Sequence, residues 1–358
     1  MKLKAAILIG VLALVFTSTA AAQQPIVIKF SHVVSPDSPK GRAADRFSQL
    51  AAQYTNGQVK VEVYPSSRLY GDTEEFAALQ SGWVQMLAPS LSKLSALGVR
   101  EFEVFDLPYI FPDRAAVLRV MDGPIGQQLL KQLEPKGFVG LAYWDNGFKQ
   151  MSANRPLVSA QAQGGSGSGD TGSKEISTHR PVVTAQDFKG LRMRVQPGSK
   201  VLVQEMRALG ATPMPIPFSE VYADLKQGAV DGTENPMSNF YTQRFFRVQK
   251  YLTISDHGYL GYAVIANRKF WDGLPADVRS ALERAMQEVT AYEREIAPTD
   301  NEAALAAVRQ AGTTEIHVLT PEQRAAWQQA LRPVHTEFES RIGGDLLRSV
   351  YEAVEPVK

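Results

Sequence analysis

The chain has 358 residues, 44% of them hydrophobic, with no cysteine and with 38 Lys plus Arg against 37 Asp plus Glu. That length supports about two domains and a large core without disulfides. A formal charge of +1 gives no basic field for gripping nucleic acid, and the lack of thiols excludes a cysteine-ligated zinc centre.

Lys2 and Lys4 precede an apolar run from Ala5 to Phe16, and Ala20-Ala21-Ala22 then leads to Gln23. This pattern predicts a secretory signal peptide over residues 1–22, since the run is well short of the roughly 20 residues that span a bilayer. The remainder is expected to be an exported, periplasmic protein.

Ile26, Ile28 and Phe30 alternate with more polar neighbours as a first strand. Ala44, Phe47, Leu50, Ala51 and Tyr54 then share one helical face, stopped by Asn56-Gly57;. Val59, Val61 and Val63 form a second strand, Asp72 with Glu75 reads as the start of a helix through Leu79, and Val84 to Ala88 is a third strand;. This β-α-β-α-β order predicts an open, mostly parallel sheet with ligands at the carboxyl ends of its strands. Phe102, Phe105, Tyr109 and Phe111 read as core or hinge packing.

Further along, Phe138–Tyr143, Leu191–Val195, Val230–Gly232 and Tyr262–Ala266 are short strand candidates that point to a second sheet. Leu282, Ala285, Met286, Val289, Tyr292 and Ile296 predict a long core-facing helix, interrupted at Pro298 and resumed from Ala303 to Val308;. The Glu and Arg residues between Glu283 and Glu302 read as its solvated face.

From Gln163 to Ser173 the chain is nearly all Gly and Ser, between the near-copies Arg155-Pro156-Leu157-Val158 and Arg180-Pro181-Val182-Val183. Residues 156–180 therefore read as a flexible insertion. Within it, Gly167-Ser168-Gly169-Asp170-Thr171-Gly172 matches the spacing of a dinucleotide loop but lacks the flanking strand and helix;. Neither a nucleophile elbow nor a zinc-binding H-E-x-x-H occurs;. The five histidines are scattered, and His32 alone follows a strand on the expected ligand side;.

Four segments carry a family pattern: Asp145-Asn146-Gly147-Phe148-Lys149-Gln150, Lys189-Gly190-Leu191-Arg192-Met193-Arg194-Val195, Pro217-Phe218-Ser219-Glu220-Val221-Tyr222, and Asp231-Gly232-Thr233-Glu234-Asn235-Pro236. With Val248-Gln249-Lys250-Tyr251 and Asp256-His257-Gly258-Tyr259 they make the chain resemble, from about Ile28 to Ile342, the solute-binding proteins of tripartite ATP-independent periplasmic (TRAP) transporters. Phe30-Ser31-His32-Val33-Val34 and Tyr143-Trp144-Asp145-Asn146-Gly147 make it most similar to the C4-dicarboxylate binders.

The resemblance implies an α/β periplasmic-binding-protein fold of two lobes with the ligand between them. The expected lobes are 23–146 with 261–299, and 147–260 with 300–358, the insertion lying in the second. It implies that Arg194 grips a ligand carboxylate, that Asn235 hydrogen-bonds the same group, and that Phe218 packs on the ligand. Lys149 stands where many relatives have arginine and is a second polar contact; His32 and Ser90 are further ligand contacts from the other lobe. The family keeps its two basic positions closer together than Lys149 and Arg194 stand here, and excising 156–180 restores its spacing.

On chemistry alone, Arg194 has two readings. Its planar fork matches a carboxylate bidentately, or it forms a structural salt bridge with Glu205, Glu220 or Glu234. The expected function is capture of succinate, fumarate or malate for the small and large integral membrane permease subunits, by a monomer using no cofactor, metal or nucleic acid. A 2-oxo acid, hydroxy monocarboxylate or sugar acid is the alternative ligand. An enzyme acting on small organic acids is the remote one, for want of an acid, base and nucleophile constellation.

Overall fold

In the computed structural model, residues 24–154 and 182–355 are described. The signal segment, the Gly/Ser insertion with its glycine motif, and His179 lie outside them. The first elements follow the periodicity: β1 (Ile26–Ser31), α1 (Pro39–Tyr54) and β2 (Val59–Tyr64). Ser38 caps α1 by accepting from the Gly41 amide, with Pro39 at the first helical position;. A β-carbon at Gly41 would lie 2.4 Å from the carbonyl oxygens of Ser35 and Pro36, so this turn tolerates only glycine. Ala44, Phe47, Leu50 and Ala51 are buried, with Phe47 edge-on to Phe30.

Next come α2 (Glu75–Gln80) and β3 (Met86–Leu87), then two 3₁₀ turns at Leu91–Leu97 and Arg100–Asp106. Asp72 does not cap α2 as the spacing predicts. The N-cap is Glu74, and the Asp72 carboxylate reaches across to the backbone amide of Phe218 at 2.5 Å. After α3 (Arg114–Asp122) and α4 (Pro124–Lys131), the strand expected to end at Tyr143 runs on as β4 (Phe138–Ala153). The chain continues through β5 (Arg192–Val195), α5 (Lys200–Ala208), β6 (Thr212–Pro215), α6 (Val221–Gln227), β7 (Gly232–Asn235) and α7 (Met237–Thr242) to β8 (Tyr251–Asn267).

The expectation of a second sheet is not met. One nine-stranded mixed sheet has the order β2-β1-β3-β8-β4-β7-β5-β6, with a further strand, β9 (Glu315–Val318), on β8. The reason is β4 and β8, which pair antiparallel from Phe138↔Asn267 to Ala153↔Tyr251 and so join the parallel groups at either end. Register shifts at Gly140/Ala142, Asp145/Gly147 and Lys149/Met151 bend this pair without ending it;.

After α8 (Arg268–Asp272), helix α9 (Ala276–Ala311) runs for 36 residues with Pro298 inside it. Proline cannot donate to the carbonyl four residues back, and the Arg114 guanidinium donates to that Arg294 carbonyl at 2.7 Å instead. Arg114 also pairs with Asp145 at the β4 bulge, which ties strand and kink together. Glu293 departs from the expected solvated face: it is fully buried and accepts from the Asp145 backbone amide at 2.8 Å. Helices α10 (Pro321–Ile342) and α11 (Gly344–Val354) complete the chain. Phe102, Phe105 and Phe111 are buried in the largest of three apolar clusters, and a second holds α1, β1 and the first half of α9.

Candidate functional site

Between the two ends of the sheet lies a cavity. Arg194, Asn235, Lys149, Phe218 and Ser90 all line it, gathered from β5, β7, β4, the turn before α6 and the turn after β3. Close pairing of β5 and β7 brings Arg194 opposite Thr233, one residue before Glu234 and Asn235. On its other side β7 pairs with β4, and that approach needs Gly232, where a β-carbon would sit 2.2 Å from the Ser152 carbonyl oxygen;.

His32 does not join them. It does not line the cavity; it lies fully buried beside Phe30, and burial, with Lys40 nearby, holds its pKa down to about 3. The structure thus places His32 outside the cavity lining, with both ring nitrogens buried and without a hydrogen-bond partner among the described residues.

Arg194 is 5% exposed, and its Nε donates to the Ile216 carbonyl at 2.9 Å, which fixes the plane of the fork. Its guanidinium carbon lies 5.6 Å from the centre of the Phe218 ring;. Among the described residues its two terminal nitrogens have no hydrogen-bond partner, and the salt bridges to Glu205, Glu220 or Glu234 are absent. Burial pulls its pKa below the usual arginine value, offset in part by Asp72 and Glu234. A buried guanidinium with a free fork is built to take an anion.

Lys149 is differently placed. Its ammonium is 3.2 Å from Glu234 and 3.6 Å from Asp106, all three buried. Burial alone would lower its pKa, but these two carboxylates hold it above the ordinary lysine value. Glu234 in turn is kept down at about 2 against the effect of burial, by Lys149 and by His257. His257 is pushed down by burial, so it is neutral: Nε2–H donates to Glu234 at 2.9 Å and Nδ1 accepts from the Ser255 hydroxyl at 2.7 Å. Glu205, buried beside Glu234, is raised and carries its proton. Glu205, Glu234 and His257 bring ligand atoms within 4.8 Å of one another, but the Lys149 ammonium already supplies the positive charge there; His257 and Glu234 are hydrogen-bonded, whereas both Glu205 oxygens are buried without a hydrogen-bond partner among the described residues.

Among the cavity residues that the sequence reading missed are Lys93, Tyr262, Asn239 and Lys40. Lys93 is buried between Asp72 and Glu75 in a double ion pair. Tyr262, on β8, is fully buried and kept protonated by burial. Asn239 comes from α7. Lys40, in the first turn of α1, is 1% exposed; its ammonium donates to the Ala88 carbonyl at 2.8 Å and lies 3.6 Å from the centre of the Tyr262 ring. No carboxylate among the described residues is within ion-pair distance of it. Burial lowers its pKa to about 7, against the pull of the Glu75 carboxylate and, more weakly, of Asp72 and Glu293, with Lys93 adding to the fall.

The remaining contacts stitch the cavity shut. Ser90 donates to Gln196 at 2.6 Å, Gln196 donates to Ser92 at 2.7 Å, and Ser199 donates to Asp106 at 2.9 Å. Asn235 donates to the Thr233 hydroxyl at 3.2 Å.

Known proteins resemble this chain along most of its length. The profile of bacterial extracellular solute-binding protein family 7 matches residues 30–164 and 166–341. The chain is 56% identical over 336 residues to the C4-dicarboxylate-binding periplasmic protein DctP of Rhodobacter capsulatus, covering 94% of this chain and 93% of that protein. Two TRAP periplasmic solute-binding proteins solved with bound succinate share its fold. The one from Sulfurospirillum deleyianum has 43% identity and a TM-score of 0.82, over 92% of this chain and 99% of that one. The one from Shewanella oneidensis has 37% identity and a TM-score of 0.84, over 92% and 100%.

Proposed function

Because the chain belongs to family 7 of the bacterial extracellular solute-binding proteins, we propose that it captures a C4-dicarboxylate in the periplasm and delivers it to the membrane subunits of a TRAP transporter. The observation that carries the ligand assignment is the pair of cations left over in the cavity. Lys93 and Lys149 each sit between two carboxylates, whereas among the described residues Arg194 and Lys40 have none within ion-pair distance. Two buried cations without counterions call for two carboxylates. One engages the Arg194 fork with Asn235 beside it, Phe218 packing on the chain; the other engages Lys40.

Succinate, fumarate and malate each have about 8 or 9 non-hydrogen atoms, and a ceiling near 1.5 kcal/mol per atom allows about 12 kcal/mol, above the roughly 8 kcal/mol of a micromolar complex. The bulge at Asp145–Gly147 supports dividing the lobes there, as 23–146 with 261–299 against 147–260 with 300–358. The Ser90–Gln196, Asp106–Ser199 and Asp72–Phe218 hydrogen bonds then join the lobes in a closed form. Closure removes water from the ligand carboxylates and strengthens their contacts.

A thermal-shift screen of the protein against small mono- and dicarboxylates, with Arg194→Met alongside, tests the reading. Succinate, fumarate and malate are expected to raise the wild-type melting temperature and to leave the variant unmoved, a ligand at 100 times its Kd adding about 2.7 kcal/mol. No response of the wild type to any carboxylate, or an equal response of the variant, would refute it.

A further inference from the structure

A chain of hydrogen bonds enters the cavity beside Lys40. The Ser238 hydroxyl donates to Asn146 Oδ1 at 2.6 Å, which fixes that amide, so that Asn146 Nδ2 donates to the Tyr262 oxygen at 2.7 Å. Asn239 comes next, 2% exposed, with Nδ2 at 3.4 Å from the same oxygen. Its Oδ1 is buried and has no hydrogen-bond partner among the described residues. Rotating the amide does not repair this, because 3.4 Å is too long for a phenol to donate to a carbonyl. An acceptor left open on a ligand cavity is costly unless the ligand supplies a donor.

Neither the carboxylates nor the methylene groups of succinate have a proton to give. An alcohol does. It can donate to Asn239 Oδ1 while its own oxygen accepts from the Tyr262 hydroxyl, whose proton has no acceptor among the described residues;. Lys40 lies over the Tyr262 ring, so a carboxylate held by Lys40 brings the substituent on its adjoining carbon towards Asn239. We propose that Asn239 reads a hydroxyl on the carbon next to the Lys40-bound carboxylate, so that the cavity selects one enantiomer of a 2-hydroxy C4-dicarboxylate over the unsubstituted acid. This rests on the C4-dicarboxylate reading and adds a specificity-determining residue to it.

Calorimetric titration of wild type and Asn239→Leu with the two malate enantiomers, succinate and 2-chlorosuccinate tests it. In the wild type one malate enantiomer binds about tenfold or more tighter than succinate, the worth of one good hydrogen bond. Chlorosuccinate, similar in size but without a donor, gains nothing over succinate. In Asn239→Leu the affinity for that malate enantiomer falls by more than the affinity for succinate, so the malate-to-succinate ratio drops towards one. Equal loss of malate and succinate affinity in the variant would overturn the proposal, since the amide N–H would then be holding a carboxylate. So would an unchanged malate-to-succinate ratio, the mark of a water on Oδ1. The wild-type ligand series decides the question even where the variant folds poorly. Binding of no dicarboxylate at all would instead sink the underlying reading.

Discussion

Lys40 gives the assignment a pH dependence with a definite sign. Its folded pKa of about 7 against an ordinary 10.5 corresponds to on the order of 5 kcal/mol of unfavourable interaction for the charged form. Between those two values the unfolded chain holds a proton that the folded chain releases, so unliganded stability rises with pH from about 7 to 10.5 and carries the full penalty below 7;. Ligand binding runs the other way. A carboxylate against the ammonium restores its proton, so above pH 7 the complex takes up a proton and affinity falls, approaching tenfold per pH unit. Titration calorimetry with succinate from pH 6 to 9, in buffers of different ionisation heat, reads both quantities. Uptake near one proton per ligand is expected around pH 8, with Kd rising in step. In Lys40→Met the uptake disappears, the Kd curve flattens, and binding at pH 6 weakens at least about tenfold for the loss of a charge-assisted hydrogen bond. The other buried groups with shifted pKa, Glu75 and Lys93 beside Lys40 and Glu205, Glu234, His257, Lys149 and Asp106 in the neighbouring cluster, remain in the variant and serve as its background. Zero proton uptake by the wild type, or an unchanged slope in Lys40→Met, would refute the reasoning.

Arg194→Met removes two charge-assisted hydrogen bonds to the ligand, about 1.5–3 kcal/mol each, and should weaken succinate binding by about 10²- to 10⁴-fold. The same change relieves a buried cation that has no counterion, so the unliganded melting temperature should stay at or above that of wild type in differential scanning calorimetry. Lys149→Met strands Glu234 and Asp106 without their shared cation, and urea titration should show a loss of about 3–5 kcal/mol. That loss should be full above pH 4.5 and fade towards pH 2, where Glu234 takes a proton even in the wild type;. Arg114→Ala leaves the Arg294 carbonyl at the Pro298 kink, and Asp145 beside it, short of a donor; a fall of about 1–3 kcal/mol in urea is expected.

Much of the site was legible because its chemistry is local in sequence. The resemblance of their segments to the TRAP solute-binding proteins singled out Arg194, Asn235 and Phe218; residue type alone left Arg194 open between a ligand carboxylate and a structural salt bridge, and the structure brings all three to one cavity. Lys40 left no such signal: a lysine behind Pro39 in the first turn of a helix reads as solvated, and only the fold of α1 against β3 and β8 turns it inwards over Tyr262. Asp72 misled for a related reason. Its spacing to Glu75 satisfies a local capping rule, but Lys93 and the Phe218 amide, both distant in sequence, draw the carboxylate away. Lys149 was found at the right place and is held by partners, Asp106 and Glu234, that no local pattern joins to it. The sheet was misjudged at Asp145–Gly147 and Gly258–Gly261, where glycines and bulges imitate strand ends while β4 and β8 continue through. Glu293 escaped because a helix face rich in Glu and Arg looks solvated until the Asp145 amide occupies it.

The most direct measurement is a crystal structure of the protein with succinate bound. One carboxylate should lie on the Arg194 fork with Asn235 beside it, and the other on the Lys40 ammonium, with Lys149 still held by Glu234 and Asp106. A second carboxylate seated on Lys149, with Lys40 left on the Ala88 carbonyl alone, would contradict the assignment of the two unpaired cations to the two ends of the ligand.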